Sequence, residues 1–254
     1  MQTAERVSAK DLSDNFVFQR ELLAYVEVSK HVSGKILEVG YGEGYGVKYL
    51  AEKAESFVGI DKYPSPAHKE EFPPNVELKV MSVPPLAGIP DNSFDNVVSL
   101  QVVEHVEDDK LFVKEIARVL KPGGKFFVAT PNSKMSLTRN PWHVREYNLN
   151  ELKALLAPHF SSIEARGIFG NGKIMDYYEK NKASVARITR FDIFDLQHKL
   201  PRWVLQIPYD YMNRRNRRKL LTQNTSLVSD IKMDDYFLAE ANDTAIDWFF
   251  VATK

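Results

Sequence analysis

The chain has 254 residues, enough for one α/β domain with an appendage and too few for two full domains. Its 34 lysines and arginines balance 34 aspartates and glutamates, so no global field favours nucleic acid or an anionic membrane. There is no cysteine, which removes disulfides, iron–sulfur clusters and thiolate zinc sites, and no apolar run approaches the ~20 residues a membrane helix needs.

In chain order, the first expected element is a helix over residues 15–31, with Phe16, Leu22, Leu23 and Val26 on an apolar face and Arg20, Glu21 and Glu27 polar. Ile36, Leu37 and Val39 then read as a strand covered on both faces by helices. That strand carries Glu38 near its end and runs into a loop with Gly40, Gly42 and Gly44, which let the backbone turn sharply and approach a ligand closely. The spacing is not that of a dinucleotide site: counting G-x-G-x-x-G from Gly40 places Tyr45 third, and from Gly42 it places Val47. No Gly-Lys-Ser/Thr ending follows, which excludes a phosphate-binding P-loop.

Ser56 to Asp61 reads as a second buried strand, closing on a carboxylate 21 positions beyond Gly40. A carboxylate there can accept hydrogen bonds from both hydroxyls of a ribose, although alone it also reads as a turn residue ahead of Tyr63-Pro64. The turn Pro90 to Asp95 leads into a strand over 96–100. Asp108 and Asp109 open a helix whose Phe112, Ile116, Val119 and Leu120 share one stripe, and Lys121-Pro122-Gly123-Gly124 stops it before a strand over 125–130. A helix over 149–157, a strand over 160–165, two helices over 177–190 and 202–221, and a last strand over 245–251 complete the series. Such alternation implies a parallel sheet with helices on both faces, and a ligand site beyond the carboxyl ends of the strands.

The string Glu38-x-Gly40-x-Gly42-x-Gly44, with Asp61 and the Arg118-Val119-Leu120-Lys121-Pro122-Gly123-Gly124 passage, resembles the class I S-adenosylmethionine (SAM) methyltransferases. The resemblance implies a Rossmann-like α/β fold with a seven-stranded, mostly parallel sheet of order 3-2-1-4-5-7-6, helices on both faces, and a helical insertion between strands six and seven. It divides a single domain over 1–254 into an N-terminal helix 15–31, a SAM-binding core 34–169, a helical insertion 170–243 and a last strand 244–253. SAM is the implied cofactor. Its implied contacts are Glu38, Gly40, Tyr41, Gly42, Gly44, Asp61 and Lys62, with Met81 and Ser82 beside the adenine, Gln101 near the methionine part and Arg20 on its carboxylate. Gln101 also reads as a polar residue starting a loop, and Arg20 as a solvated helix charge. An acidic residue common in the family beside Ser82 is absent.

Thr130-Pro131-Asn132 and Asn140-Pro141-Trp142-His143-Val144-Arg145-Glu146-Tyr147 resemble a branch of this family, many of whose members are associated with bacterial surface-glycan or other small-molecule modification. The loop leaves a strand's carboxyl end, which makes His143 a candidate base and Glu146 its orienting partner. The alternative is that both brace the loop while Trp142 plugs the core. Gln101 with Glu104-His105 resembles a cation-binding set of some quinone-pathway O-methyltransferases, but a neutral amide adds no charge for a hard cation, so no metal is expected.

In the insertion, Tyr177, Tyr178, Phe191, Trp203, Tyr209 and Tyr211 either line an acceptor pocket or pack a helical appendage. The run Asn213 to Lys219 either grips a phosphate or nucleotide-sugar acceptor or is a solvated face neutralised by Asp230, Asp234 and Asp235. The expectation is a soluble, cytoplasmic SAM-dependent methyltransferase acting on a small-molecule or glycan acceptor at oxygen, with no nucleic-acid or membrane partner. The competing expectation is a noncatalytic SAM-binding or S-adenosylhomocysteine-binding protein of the same fold.

Overall fold

Ile36 and Leu37 are neighbours on the first strand and both fully buried, yet they belong to opposite layers of the core. Side chains alternate along a strand, so a strand covered on both faces feeds two cores at once. A computed structural model describes residues 5–65 and 72–254 of the chain, and the polar start at Met1 to Ala4 lies outside them.

Five strands run parallel: β1 (Gly34–Val39), β2 (Ala54–Asp61), β3 (Val76–Val80), β4 (Phe94–Leu100) and β5 (Leu120–Pro131). β6 (Ser162–Gly170), β7 (Tyr236–Glu240) and β8 (Asp247–Thr253) complete one sheet of order β3-β2-β1-β4-β5-β8-β6-β7. The reversal of order beside β1 is the switch point at which open α/β sheets bind ligands.

The helices are α1 (Asn15–Ser29), α2 (Val47–Ala51), α3 (Asp109–Val119), α4 (Leu149–Leu156), α5 (Gly172–Thr189), α6 (Leu196–Lys199), α7 (Arg202–Gln223) and α8 (Thr225–Ser229). Phe112 and Ile116 of α3 with Leu152 and Leu156 of α4 cover one face of the sheet. Tyr25 and Val28 of α1, Leu50 of α2 and Ile174, Leu220 and Val228 from α5, α7 and α8 cover the other. Buried Asn15 ties the start of α1 to α8 by donating to the Val228 and Ile231 carbonyls at 2.8 and 2.9 Å.

Three expectations are corrected. The sheet has eight strands, because Tyr236–Glu240, inside the stretch expected to be helical, pairs antiparallel with β6. It covers the edge β6 would otherwise expose, stacks Phe237 on Phe169 at 5.8 Å and lets the Tyr236 hydroxyl donate to the Phe16 carbonyl at 2.5 Å. On α1, the buried face is Phe16, Ala24, Tyr25 and Val28, while Leu22 and Val26 are only half-buried. Lys121 to Gly124 lies within β5 rather than before it, at an irregularity in the pairing with β4 where Gly123 takes a φ of +77°.

Candidate active site

The glycine loop and the end of β2 are fastened to each other through backbone. Gly40 N–H donates to the Ile60 carbonyl at 2.7 Å, and Gly42 N–H donates to Asp61 Oδ2 at 2.9 Å. Asp61 Oδ1 accepts from Tyr63 N–H at 2.9 Å, so the carboxylate is held from both sides. Gly40 has a φ of +88°, and a Cβ there would meet Val102 Cγ2 at 2.2 Å. At Gly42, φ is +54° and a Cβ would meet nothing within 4 Å, because it would project into open space.

That space is a crevice of about 980 Å³ whose walls include Gly40, Tyr41, Gly42, Asp61, Lys62, Met81 and Gln101. Met81 N–H donates to the Asp61 carbonyl at 2.8 Å, placing the end of β3 on the same rim. Gln101 takes a left-handed φ of 57° as β4 ends, with its N–H on the Ala129 carbonyl at 2.8 Å.

The other expected contacts lie elsewhere. Gly44 shapes the turn through its N–H to the Tyr41 carbonyl at 2.9 Å, and Ser82 is exposed outside the crevice wall. Glu38 lies beneath the loop and accepts from the Tyr25 hydroxyl at 2.6 Å. Burial pushes its pKa up to about 7, aided by the charge of Asp61 and opposed by that hydrogen bond. Its Oε2 is buried without a hydrogen-bond partner among the described residues. Arg20 faces a second cavity, where its Nε stands 2.8 Å from Asp247 Oδ2.

Arg6 and Glu5 also line the crevice. Arg6 stands 3.5 Å from Glu43 and 3.9 Å from Asp61, and Glu5 beside it reaches the loop after β5. Two charged residues ahead of the first helix carry no local pattern, and their role depends wholly on where the fold lays the segment.

The second cavity, of about 300 Å³, lies between α1, the loop after β5, α5 and α7. Tyr177, Tyr178 and Tyr209 line it, whereas Phe191 and Tyr211 are exposed and Trp203 sits at the mouth of the crevice. Two members of the arginine run are matched internally, though not by the acids expected: Arg214 and Arg217 reach Asp14 at 2.6 and 2.7 Å, while Arg215, Arg218 and Lys219 are exposed. Asp235 is taken by Lys173 at 2.8 Å.

The loop carrying His143 is held from below by Glu104, whose carbonyl accepts from Val144 N–H at 2.7 Å and whose buried carboxylate accepts from Thr130 at 2.9 Å. Asn132 fastens the loop's root by donating to the Ala245 carbonyl at 2.8 Å. Trp142 is half-buried and donates to Asp210 of α7 at 2.9 Å, so it is a tie to the insertion and not a core plug.

His143 stands between two carboxylates, with Nδ1 2.6 Å from Glu146 and Nε2 3.2 Å from Glu5. Burial opposes the charge, but these bonds outweigh it and push the pKa up to about 10. Glu5 shifts the other way: burial would raise its pKa, and the His143 bond leads the effects that hold it at about 2. The two carboxylates thus favour the charged form of the ring. Deprotonated, its Nε2 would face the Asn140 amide nitrogen at 2.9 Å.

Because the Glu104 carboxylate turns to Thr130, Gln101, Glu104 and His105 do not form a ligand set. Glu5, His105 and His143 do bring potential ligand atoms within 4.8 Å of one another.

The two cavities share a wall at the start of β8. Gln101, on the crevice, donates to Asp247 Oδ2 at 2.9 Å, and Asp247 lines the second cavity.

A family described as a methyltransferase domain matches residues 37–128, from β1 into β5. A probable SAM-dependent methyltransferase of Mycolicibacterium smegmatis is 30% identical over 253 residues, covering 96% of this chain and 90% of that protein. The chain belongs to the SAM-dependent methyltransferases. A ubiquinone biosynthesis O-methyltransferase of Xanthomonas oryzae is 34% identical over 116 residues, covering 43% of this methyltransferase and 48% of that one. Among solved structures, a putative methyltransferase from Bacillus halodurans superposes with a TM-score of 0.54 at 14% identity, over 91% of this chain and 98% of that one, a likeness of fold.

The crevice suits the family's cofactor on its own chemistry. Asp61 offers acceptors for hydroxyls, the open side of Gly42 admits close approach, and Glu21 brings a carboxyl to the same wall. Among the described residues no helix is long and apolar enough to cross a membrane.

Proposed function

We propose that this methyltransferase transfers the methyl group of SAM to an oxygen of a small-molecule or glycan acceptor held in the second cavity. The observation that carries the reading is the shared wall: Gln101 on the crevice bonds Asp247 on the second cavity at 2.9 Å. A donor on one side and an acceptor on the other meet there.

In this reading Asp61 takes the ribose hydroxyls, Gly40, Tyr41 and Gly42 border the nucleoside, Lys62 and Met81 flank it, and Gln101 bounds the methionine part. When bound, SAM supplies a methyl carbon open to in-line attack, and the protein's task is to hold the acceptor oxygen behind it in a dry site. His143 and Glu146 brace the loop that walls the acceptor cavity. Arg20, paired with Asp247, sets that residue's position. The O-methyltransferase among the relatives supports oxygen as the receiving atom, and the even charge balance supports a small acceptor over a nucleic acid.

The test is calorimetric titration with SAM and S-adenosylhomocysteine, followed by a SAM-consumption assay over hydroxyl, amine and carboxyl acceptors. Binding of both nucleosides and turnover with hydroxyl acceptors are expected; turnover confined to amines would remove the oxygen assignment.

A further inference from the structure

One buried oxygen at the wall between the cavities has nothing to bond. Asp247 opens β8 and is 1% exposed; its Oδ2 meets Gln101 and Arg20, while its Oδ1 has no hydrogen-bond partner among the described residues. A buried carboxylate oxygen is seldom left unsatisfied unless a ligand completes it. Asn213 Oδ1, from α7, is buried and unpartnered in the same way, and its residue lines the same cavity.

Two unpartnered atoms are acceptors, and Arg20 Nε, a donor on the same cavity, also lacks a hydrogen bond although it stands 2.8 Å from Asp247 Oδ2; a hydroxyl, which donates and accepts, answers both kinds. The cationic side chains on this cavity are already matched: Arg20 faces Asp247, Arg217 faces Asp14, and His143 faces Glu146 and Glu5. That leaves no cation to recruit a phosphate or a carboxylate. Phe16 and Tyr177, stacked at 4.3 Å, give the cavity an aromatic wall against which a ring or an apolar body packs.

We propose that the second cavity binds an uncharged acceptor carrying at least two hydroxyl groups on a ring or apolar body, that Asp247 Oδ1 receives the hydroxyl to be methylated, and that Asn213 Oδ1 holds another. This rests on the transfer reading above. The acceptor's O–H bond breaks and its proton passes to Asp247 Oδ1. The oxygen's electron pair forms the new bond to the methyl carbon, and the carbon–sulfur bond breaks with its electrons returning to sulfur, so the sulfonium becomes a neutral thioether. Burial raises the proton affinity of Asp247 against the opposing charge of Arg20, which suits a group that must accept a proton.

The full chain is titrated with S-adenosylhomocysteine, then, with and without it, with octyl β-D-glucoside and 4-hexylcatechol as hydroxyl probes and octylamine and octanoate as charged counterparts. A hydroxyl probe should bind wild type, weaken about tenfold or more in Asp247→Asn and several-fold in Asn213→Ala, while both variants keep S-adenosylhomocysteine affinity within about twofold as proof of folding. With a probe that is turned over, Asp247→Asn should lower kcat about 100-fold with a smaller change in KM, and Asn213→Ala should mainly raise KM. Failure of both hydroxyl probes to bind, tighter binding of a charged counterpart, or hydroxyl-probe affinity unmoved in both folded variants overturns the proposal. Hydroxyl-probe binding without S-adenosylhomocysteine binding supports the ligand class and removes the transfer reading.

Discussion

The crevice beside β1 and the cavity under the insertion share a wall but are made of different material. On its glycine-loop side the crevice is shaped by backbone: two glycine N–H groups, the ends of β2 and β4, and one carboxylate locked by a main-chain bond. The cavity is shaped by side chains from α1, one loop, α5 and α7, brought together only by the tertiary fold. Backbone geometry is shared by every sequence that keeps the strand and loop, whereas a side-chain wall changes with each substitution. One fold can thus keep a single methyl donor and vary what receives it.

The sharpest way to break this comparison is Gly42→Val. The added side chain projects into the crevice and not into the core, so SAM affinity should fall about 100-fold or more. The left-handed φ of 54° should cost roughly 1–2 kcal/mol of stability. Tyr209→Ala, in the other cavity, should leave SAM affinity within about twofold. Calorimetry on both variants checks the pair, and equal losses would show that the cavities are not separable.

A smaller effect concerns the brace. The folded pKa of His143, about 10, is above its unfolded value of about 6.5. Its contribution to stability is therefore fully present below about pH 6.5 and lost as pH rises through 10. Between pH 7 and 10, Tm should fall further in wild type than in His143→Gln by on the order of 5 °C, since each kcal/mol moves Tm by about 2–4 °C at this size. Parallel Tm curves would mean the ring carries no such charge.

The smallest effect concerns Glu21 on the crevice wall and Glu38 beneath the glycine loop. Burial pushes both Glu38 and Glu21 up to about 7. A sulfonium favours their ionised forms and a thioether does not, so the ratio of SAM to S-adenosylhomocysteine affinity should rise a few-fold from pH 6 to pH 8. Titrations at both ends of that range decide it.

The same contrast explains what could be read beforehand. The meeting of Gly40, Gly42 and Asp61 was legible because strand, turn and terminal carboxylate are local features whose spacing fixes it. Glu146 beside His143 was legible at three residues' separation. Asp14 as partner of Arg217, Arg20 on Asp247, and the strand Tyr236–Glu240 on β6 were not, because each pairing joins segments far apart in the chain. Glu5 was hidden for the same reason: nothing near it in sequence announces an imidazole 138 residues away.

Glu5 and Arg6 occupy adjacent positions and grasp opposite things, one the imidazole behind the acceptor cavity and the other the carboxylate awaiting a ribose. A sugar hydroxyl that reaches Asp61 meets a carboxylate already facing Arg6. The carbon-bound proton resonances of the His143 ring, one residue's reach from the nucleoside site through Glu5, would read out whether docking of the donor is felt there.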